Sequence, residues 1–212
     1  MCTRYYIDNS PKMQEIISEM NRSSFIEKWH QTSGITTKGE IFPTGVVPVI
    51  ASNKAGKRAV FPMKWGFTGK TLLLNARSET AATKPTFKDS WESHRCIVPA
   101  SWYFEWEHSI NSSGKTVTGD KYLIQPKGSD LTWLCGIYRM ENSLPYFVIL
   151  TCEAVDEIRF IHDRMPLIMP GELVDEWIRP DARPDMLMKK ALKEMVYEKA
   201  AVTVQSEMIF DQ

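Results

Sequence analysis

Neither sign of charge is in excess in this sequence: Lys plus Arg and Asp plus Glu number 26 each, a formal net charge of zero over 212 residues. That balance excludes a chain held to polyanions by bulk attraction, so contact with a nucleic acid must come from local clustering. Cysteine is scarce. The four cysteines, Cys2, Cys96, Cys135 and Cys152, contain no Cys-x-x-Cys pair, which argues against a zinc site and leaves no metal or cofactor expected. Cys96, Cys135 and Cys152 sit in apolar runs and are expected as buried, reduced core residues. No run approaches the roughly 18 apolar residues of a membrane span, and the charged start carries no secretory pattern. The expectation is therefore a cytoplasmic protein without membrane contact. There is no internal repeat and no linker-like stretch, so residues 1–212 read as a single domain. What remains is 43% hydrophobic and 25% charged, enough to build one sizeable core.

The chain begins and ends helical around a long β-rich middle. Ser10 and Pro11 fit an N-cap and first helical position, and Met13, Ile16, Ile17 and Met20 recur at helical spacing, predicting one helix over 11–29. Short strands are predicted at 46–51, 59–67, 72–74, 96–99, 102–107, 121–125, 132–138 and 146–152. A tight connection is expected at Asn53-Lys54-Ala55-Gly56, and a polar exposed hairpin tip at 108–120. A short helix capped by Ser78 is expected from residue 78. Helical patterns return at 155–161, 171–178 and 186–199, and a last strand is predicted at 201–205. The fold class that follows is α+β: a curved, mostly antiparallel, barrel-like sheet with peripheral helices.

Four places carry candidate chemistry. Met1-Cys2 is ordinary while Met1 stays. With Met1 removed, Cys2 becomes a 1,2-aminothiol, whose amine forms a Schiff base with an aldehyde and whose thiol closes a thiazolidine. The amine, with an ordinary pKa of about 7.7–8.0, needs little activation, and the thiol is expected to supply some thiolate. Leu72-Leu73-Leu74-Asn75-Ala76-Arg77-Ser78-Glu79-Thr80 runs an apolar strand into polar groups. An extended backbone puts Asn75 and Arg77 on one face, and a strand stop with a helix behind it explains the same pattern. In Trp102-Tyr103-Phe104-Glu105-Trp106-Glu107, alternation puts Tyr103, Glu105 and Glu107 opposite the tryptophans. Glu105 is then either a desolvated proton shuttle or a solvent-facing acid. In Ile161-His162-Asp163-Arg164-Met165-Pro166, His162 lies between apolar segments beside an acid and a base, a setting for a general acid/base. His30, His94 and His108 have no evident partners in sequence.

Taken together, these stretches resemble one family. Met1-Cys2-Thr3-Arg4, Asn75-Ala76-Arg77-Ser78-Glu79-Thr80, Trp102 through Glu105-Trp106, and Ile161-His162-Asp163-Arg164-Met165-Pro166 follow the order found in the SOS-response-associated peptidase (SRAP) family. Phe42-Pro43-Thr44 and Trp65-Gly66 match its intervening landmarks. The resemblance covers residues 1 to about 170.

The resemblance implies that Met1 is lost and that Cys2 captures abasic sites in single-stranded DNA as a thiazolidine crosslink. That would be an autoprocessing, lyase-like activity with covalent catalysis, used to sense and shield the lesion. Asn75 would hold Cys2 and the sugar, Glu105 would move protons at the amine, and His162 would assist ring opening and reversal. Arg4, Arg77, Lys84 and Arg164 would meet phosphates, and Pro43, Trp65, Trp106 and Met165 would wedge or stack against bases. A monomer would suffice, nucleoid-associated when on DNA or nuclear in a nucleated cell. Alternatives from other classes are a thiol peptidase acting in trans and a non-covalent DNA-binding module. Thr3 stands where the family carries Gly, and Pro85 where some relatives carry Arg.

Overall fold

A computed structural model describes residues 2–110 and 113–200. In chain order the elements are β1 (Arg4–Ile7), α1 (Pro11–Met20), α2 (Ile26–Thr32), β2 (Gly39–Ile41), β3 (Val46–Ser52), β4 (Arg58–Trp65) and β5 (Asn75–Arg77). Then come α3 (Ser78–Ala81), α4 (Lys88–Ser93), β6 (Arg95–Ala100), β7 (Trp102–Ile110), β8 (Thr116–Pro126), β9 (Thr132–Glu141) and β10 (Leu144–Glu153). The last are β11 (Arg164–Pro166), β12 (Ile168–Met169), α5 (Val174–Trp177), α6 (Pro184–Met188) and β13 (Met195–Lys199).

Five strands close on themselves. β4 pairs with β3, β3 with β6, β6 with β9, β9 with β10, and β10 returns to β4. All pairings in this ring are antiparallel except β10 with β4. Closure removes free edges from the core strands. Their inward side chains, among them Val49, Trp65, Val98, Leu134, Phe147 and Ile149, are fully buried. A second, five-stranded sheet runs in the order β13-β8-β7-β1-β2. The first strand of the chain thus lies inside a sheet, between β7 and β2.

The expected fold class holds, with differences in the elements. The helix predicted over 11–29 is two. The apolar stripe Met13, Ile16, Ile17, Met20 is buried as expected, but its next turn falls on Ser23 and Ser24, which offer the core nothing. The chain turns there through Ser23 N–H donating to the Met20 carbonyl at 2.8 Å. Ser10 leads into α1 with an extended backbone, yet its hydroxyl makes no capping bond. Ser78 lies inside α3, and Arg77 occupies the N-cap position. The helix predicted over 155–161 is a single 3-10 turn, Asp156–Ile158. The helix predicted over 186–199 stops at Met188, and Met195–Lys199 instead adds a strand to β8. Met195, Val196 and Tyr197 suit a strand, and pairing overrides helical spacing. The strand predicted at 201–205 lies outside the described residues. Cys96 and Cys135 are buried and reduced, whereas Cys152 is only partly buried, because it faces outward from the end of β10. Among the described residues no helix is long and apolar enough to cross a membrane.

Two residues show how tightly the core is fitted. Arg95 is buried and spends its guanidinium on helix-end carbonyls. It donates to the carbonyls of Trp91 at 2.6 Å, Glu92 at 3.0 Å and Trp177 at 3.0 Å, and also to that of Arg179. A cation at the C-terminal ends of α4 and α5 suits their dipoles and satisfies carbonyls that have no helical donor. Gly136 sits in β9 where a Cβ would meet the Val148 backbone oxygen at 2.8 Å and the Cys96 sulfur at 3.0 Å. A backbone oxygen held in a ladder cannot swing away. Gly136→Ala is therefore expected to lower stability by about 1–3 kcal/mol. Denaturant unfolding checks this, and an unchanged midpoint would show that β9 and β10 are not so closely apposed.

Candidate active site

Four segments converge where the two sheets meet. Cys2 lies two residues before the start of β1, whose register against β7 sets Arg4 opposite Phe104 and Tyr5 opposite Tyr103. This places the start of the chain beside Glu105. Asn75 opens β5, which runs parallel to β10 with Asn75 level with Ile149. His162 lies in the excursion between β10 and β11, whose ends are closed by Ala154 N–H donating to the Asp163 carbonyl at 2.9 Å.

Cys2 is fully buried. Asn75 Nδ2 donates to the Cys2 carbonyl at 2.9 Å, tying the two sheets together at this residue. The Cys2 Sγ lies 3.6 Å from the Arg4 carbonyl. Burial pushes the thiol far above its ordinary pKa, and the nearby Glu105 charge pushes it further. Some thiolate was expected at Cys2 once Met1 is removed; with Met1 in place, desolvation penalises the anion and favours the neutral thiol. Glu105 is 3% exposed, so the solvent-facing alternative fails. Its Oε1 accepts from the Trp106 N–H at 3.3 Å.

His162 is half-buried, and burial lowers its pKa below the ordinary imidazole value, with Glu105 and Asp163 acting in the opposite direction. Its Nδ1 accepts the Arg164 N–H at 2.9 Å and also lies 2.8 Å from Asp163 Oδ1. These two neighbours ask for opposite tautomers. The neutral ring keeps the backbone donor, since the Asp163 carboxylate is exposed and free to turn toward water.

The alternation of β7 hides a further member. Strict period two would set His108 on the face opposite Glu105, but the pairing with β8 shifts between Trp106 and His108. That irregularity re-aims the side chain. One donor atom each of Glu105, His108 and His162 fall within 4.8 Å of one another, and the two imidazole rings meet edge to face at 5.4 Å. Main chain reinforces the approach, with His108 N–H donating to the Ile161 carbonyl at 3.3 Å. Thr3, Glu105, Trp106, His108 and Thr118 line an open depression of about 380 Å³ at this point. Tyr5 and Tyr103 are also buried against the centre, and burial raises both phenols. Tyr103 was readable from alternation with Glu105, whereas His108 was not.

The expected DNA contacts divide. Trp65 is fully buried, stacked on Phe147 at 6.2 Å and donating through Nε1 to the Leu74 carbonyl. Met165 is buried as well. Neither can stack on a base: both point into the core, where large apolar side chains are worth more. Trp106 and Pro43 are partly exposed, and Phe42 beside Pro43 is 52% exposed under the Arg4 guanidinium, 4.2 Å from its ring centre. Arg77 and Lys84 are exposed. Arg164 is not open to solvent. It grips Glu79 through both ends of its fork at 2.7 and 2.9 Å, and its hydrogen bonds hold the Glu79 carboxyl below the usual range. Arg4 Nε lies 3.6 Å from Glu40, which also receives Lys121.

The chain is 27% identical over 208 residues to the abasic site processing protein YobE of Bacillus subtilis, covering 91% of this chain and 89% of that one. It is 31% identical over 131 residues to the abasic site processing protein YedK of Escherichia coli, covering 57% and 55%. A Bacteroides thetaiotaomicron protein superposes with a TM-score of 0.70 at 20% identity, over 95% of this chain and 93% of the other, a likeness of fold. The sequence profile described as SOS response associated peptidase (SRAP) matches residues 1–209, and the chain belongs to that family.

Proposed function

We propose that this protein processes abasic sites in single-stranded DNA by capturing them on Cys2 once Met1 is removed. The observation that carries the reading is the fixed position of Cys2, buried at the seam of two sheets and held by Asn75 at 2.9 Å. A chain terminus is ordinarily among the least ordered parts of a domain. Spending a buried amide to hold one makes sense where the terminus is the reagent. Names shared by YobE and YedK support the same substrate class.

The chemistry needs no oxidant. The ring-opened sugar presents an aldehyde at C1′. The Cys2 amine adds to that carbon, the oxygen leaves as water, and an imine results. The thiol then adds across the C=N bond: sulfur bonds to C1′, its proton passes to nitrogen, and the thiazolidine closes. Glu105 is the proton carrier for the loss of water, since a buried carboxyl beside the amine can both take and return a proton. His162, whose partial burial favours the neutral ring, takes the proton of the anomeric hydroxyl as the C1′–O4′ bond opens and passes a proton to the departing O4′, which becomes the C4′ hydroxyl. A neutral thiol suits this sequence of steps, because the amine attacks first and sulfur enters intramolecularly. The same neutrality counts against a thiol peptidase acting in trans, which needs a thiolate at the outset.

Phosphate contacts fall to a short exposed set, with Arg77 and Lys84 available and Arg4 and Arg164 engaged with Glu40 and Glu79. Pro43, Phe42 and Trp106 are the side chains placed to meet bases. All the reacting groups come from one chain, so a monomer suffices.

Two outcomes test the reading. With glycosylase-treated, uracil-containing single-stranded DNA, the mature protein should give a covalent gel-shifted species that Cys2→Ala abolishes. Glu105→Gln should slow its formation by roughly 10²-fold or more, as expected for loss of a general acid/base. Asn75→Ala should slow it by only about fivefold, the worth of one positioning hydrogen bond of about 1 kcal/mol. Equal rates for Glu105→Gln and wild type would remove Glu105 from the mechanism. Non-covalent binding to intact single strands should be shallow in salt. With about two phosphates engaged, log K against log salt should fall with a slope of about −1.4. A slope of about −4 or steeper would mean a basic surface that the ion pairs described above do not leave open.

A further inference from the structure

We propose that Glu105, His108 and His162 form a binding site for a divalent transition-metal ion of the zinc class, set in the mouth of the Cys2 centre. Two imidazoles and one carboxylate, with one donor atom each inside 4.8 Å, make a nitrogen-rich facial set. Zn²⁺ and its neighbours favour such donors, while Ca²⁺ and Mg²⁺ favour oxygen alone. The scarcity of paired cysteines has no bearing on a site of this composition.

The second coordination shell fits as well. A metal-bound imidazole is normally oriented by an acceptor at its other nitrogen. His108 Nδ1 lies 3.2 Å from the Glu107 carbonyl, and His162 Nδ1 lies 2.8 Å from Asp163 Oδ1. With both Nδ1 atoms protonated toward these oxygens, both Nε2 atoms are unprotonated, the form that ligates a metal. For His162 this means giving up the Arg164 N–H bond and moving the ring proton from Nε2 to Nδ1, where the exposed Asp163 accepts its hydrogen bond. The backbone link from His108 to the Ile161 carbonyl holds the two rings together across β7 and the excursion before β11. The open depression lined by Thr3, Glu105, Trp106, His108 and Thr118 gives an ion access from solvent. Three protein ligands leave a fourth position open, as in zinc sites that exchange a ligand.

The consequence is regulatory. A bound ion takes up the same Glu105 oxygen and His162 nitrogen that move protons, so the loaded protein is held inactive until the metal is withdrawn. This second half rests on the abasic-site reading above; the metal site itself does not.

The test separates the two. Cys2→Ala protein, which lacks the aminothiol as a competing chelator, is titrated without DNA. Zn²⁺ is followed by calorimetry and Co²⁺ by its visible ligand-field bands. One ion per chain is expected, with a nitrogen- and oxygen-type Co²⁺ spectrum, and His108→Ala in the same background should weaken affinity at least tenfold. His108 is exposed, so that change does not threaten the fold. The distant His94→Ala, as control, should bind as its parent does. Absence of saturable uptake, or equal uptake by His108→Ala, would overturn the site. For regulation, saturating Zn²⁺ should slow crosslinking by the wild-type mature protein at least tenfold, a chelator should restore it, and His108→Ala should require correspondingly more zinc. Equal zinc sensitivity of wild type and His108→Ala would overturn the regulatory half. A wild-type protein that forms no adduct even without zinc would overturn the abasic reading instead, with the metal titration unaffected.

Discussion

The pairing of β1 with β7 is the constraint on which the site depends. Three residues in register, Arg4 with Phe104, Tyr5 with Tyr103 and Tyr6 with Trp102, bring the start of the chain to Glu105. β2 on the other side makes β1 an interior strand, so the N-terminal segment is locked by hydrogen bonds on both edges. Asn75 then ties Cys2 to the barrel from across the seam. Without the ladder, the amide would have nothing fixed to hold. Without the amide, the residue before the ladder would fray.

Burial is the second consequence of that geometry, and it sets the chemistry. A solvent-exposed Cys2 would be a nucleophile toward many electrophiles. Beside Tyr5, Tyr103 and Glu105, burial pushes its thiol pKa up, and in the proposed reaction the amine acts first. Desolvation also lowers the His162 pKa, and Glu105 is buried beside it. Charge elsewhere is conserved by pairing: Glu79 engages Arg164 and Glu40 engages Arg4 and Lys121. The zero net charge of the sequence is therefore mirrored locally, and the proposed contact with DNA would fall to a few side chains.

Much of this was legible from the sequence, and the failures have physical causes. The barrel strands carry period-two or continuous apolar runs long enough to register, so β3, β4, β6, β9 and β10 were readable, as was the α1 stripe. β1 and β2 span only Arg4–Ile7 and Gly39–Ile41, too short to show a period, and only their long-range partners make them strands. Glu105 was placed correctly on the face of Tyr103 by alternation, while His108 was lost because a register shift in β7 breaks that rule. Trp65 and Met165 were drawn toward DNA by their neighbours in the motifs, yet a large apolar side chain next to a site is more often its floor. The ion pair of Arg164 with Glu79 spans 85 positions and has no sequence signal.

The central claim is that Cys2 ends as a thiazolidine through both its amine and its thiol. Intact mass of the mature protein, taken before and after exposure to an abasic single-stranded oligonucleotide and then after borohydride, tests it most directly. The account predicts a first mass lacking Met1, an adduct equal to protein plus oligonucleotide less one water, and no change with borohydride, because no imine remains. An adduct that gains two hydrogens on reduction would contradict ring closure by the thiol. No adduct from a protein whose mass proves a free Cys2 would contradict the account itself.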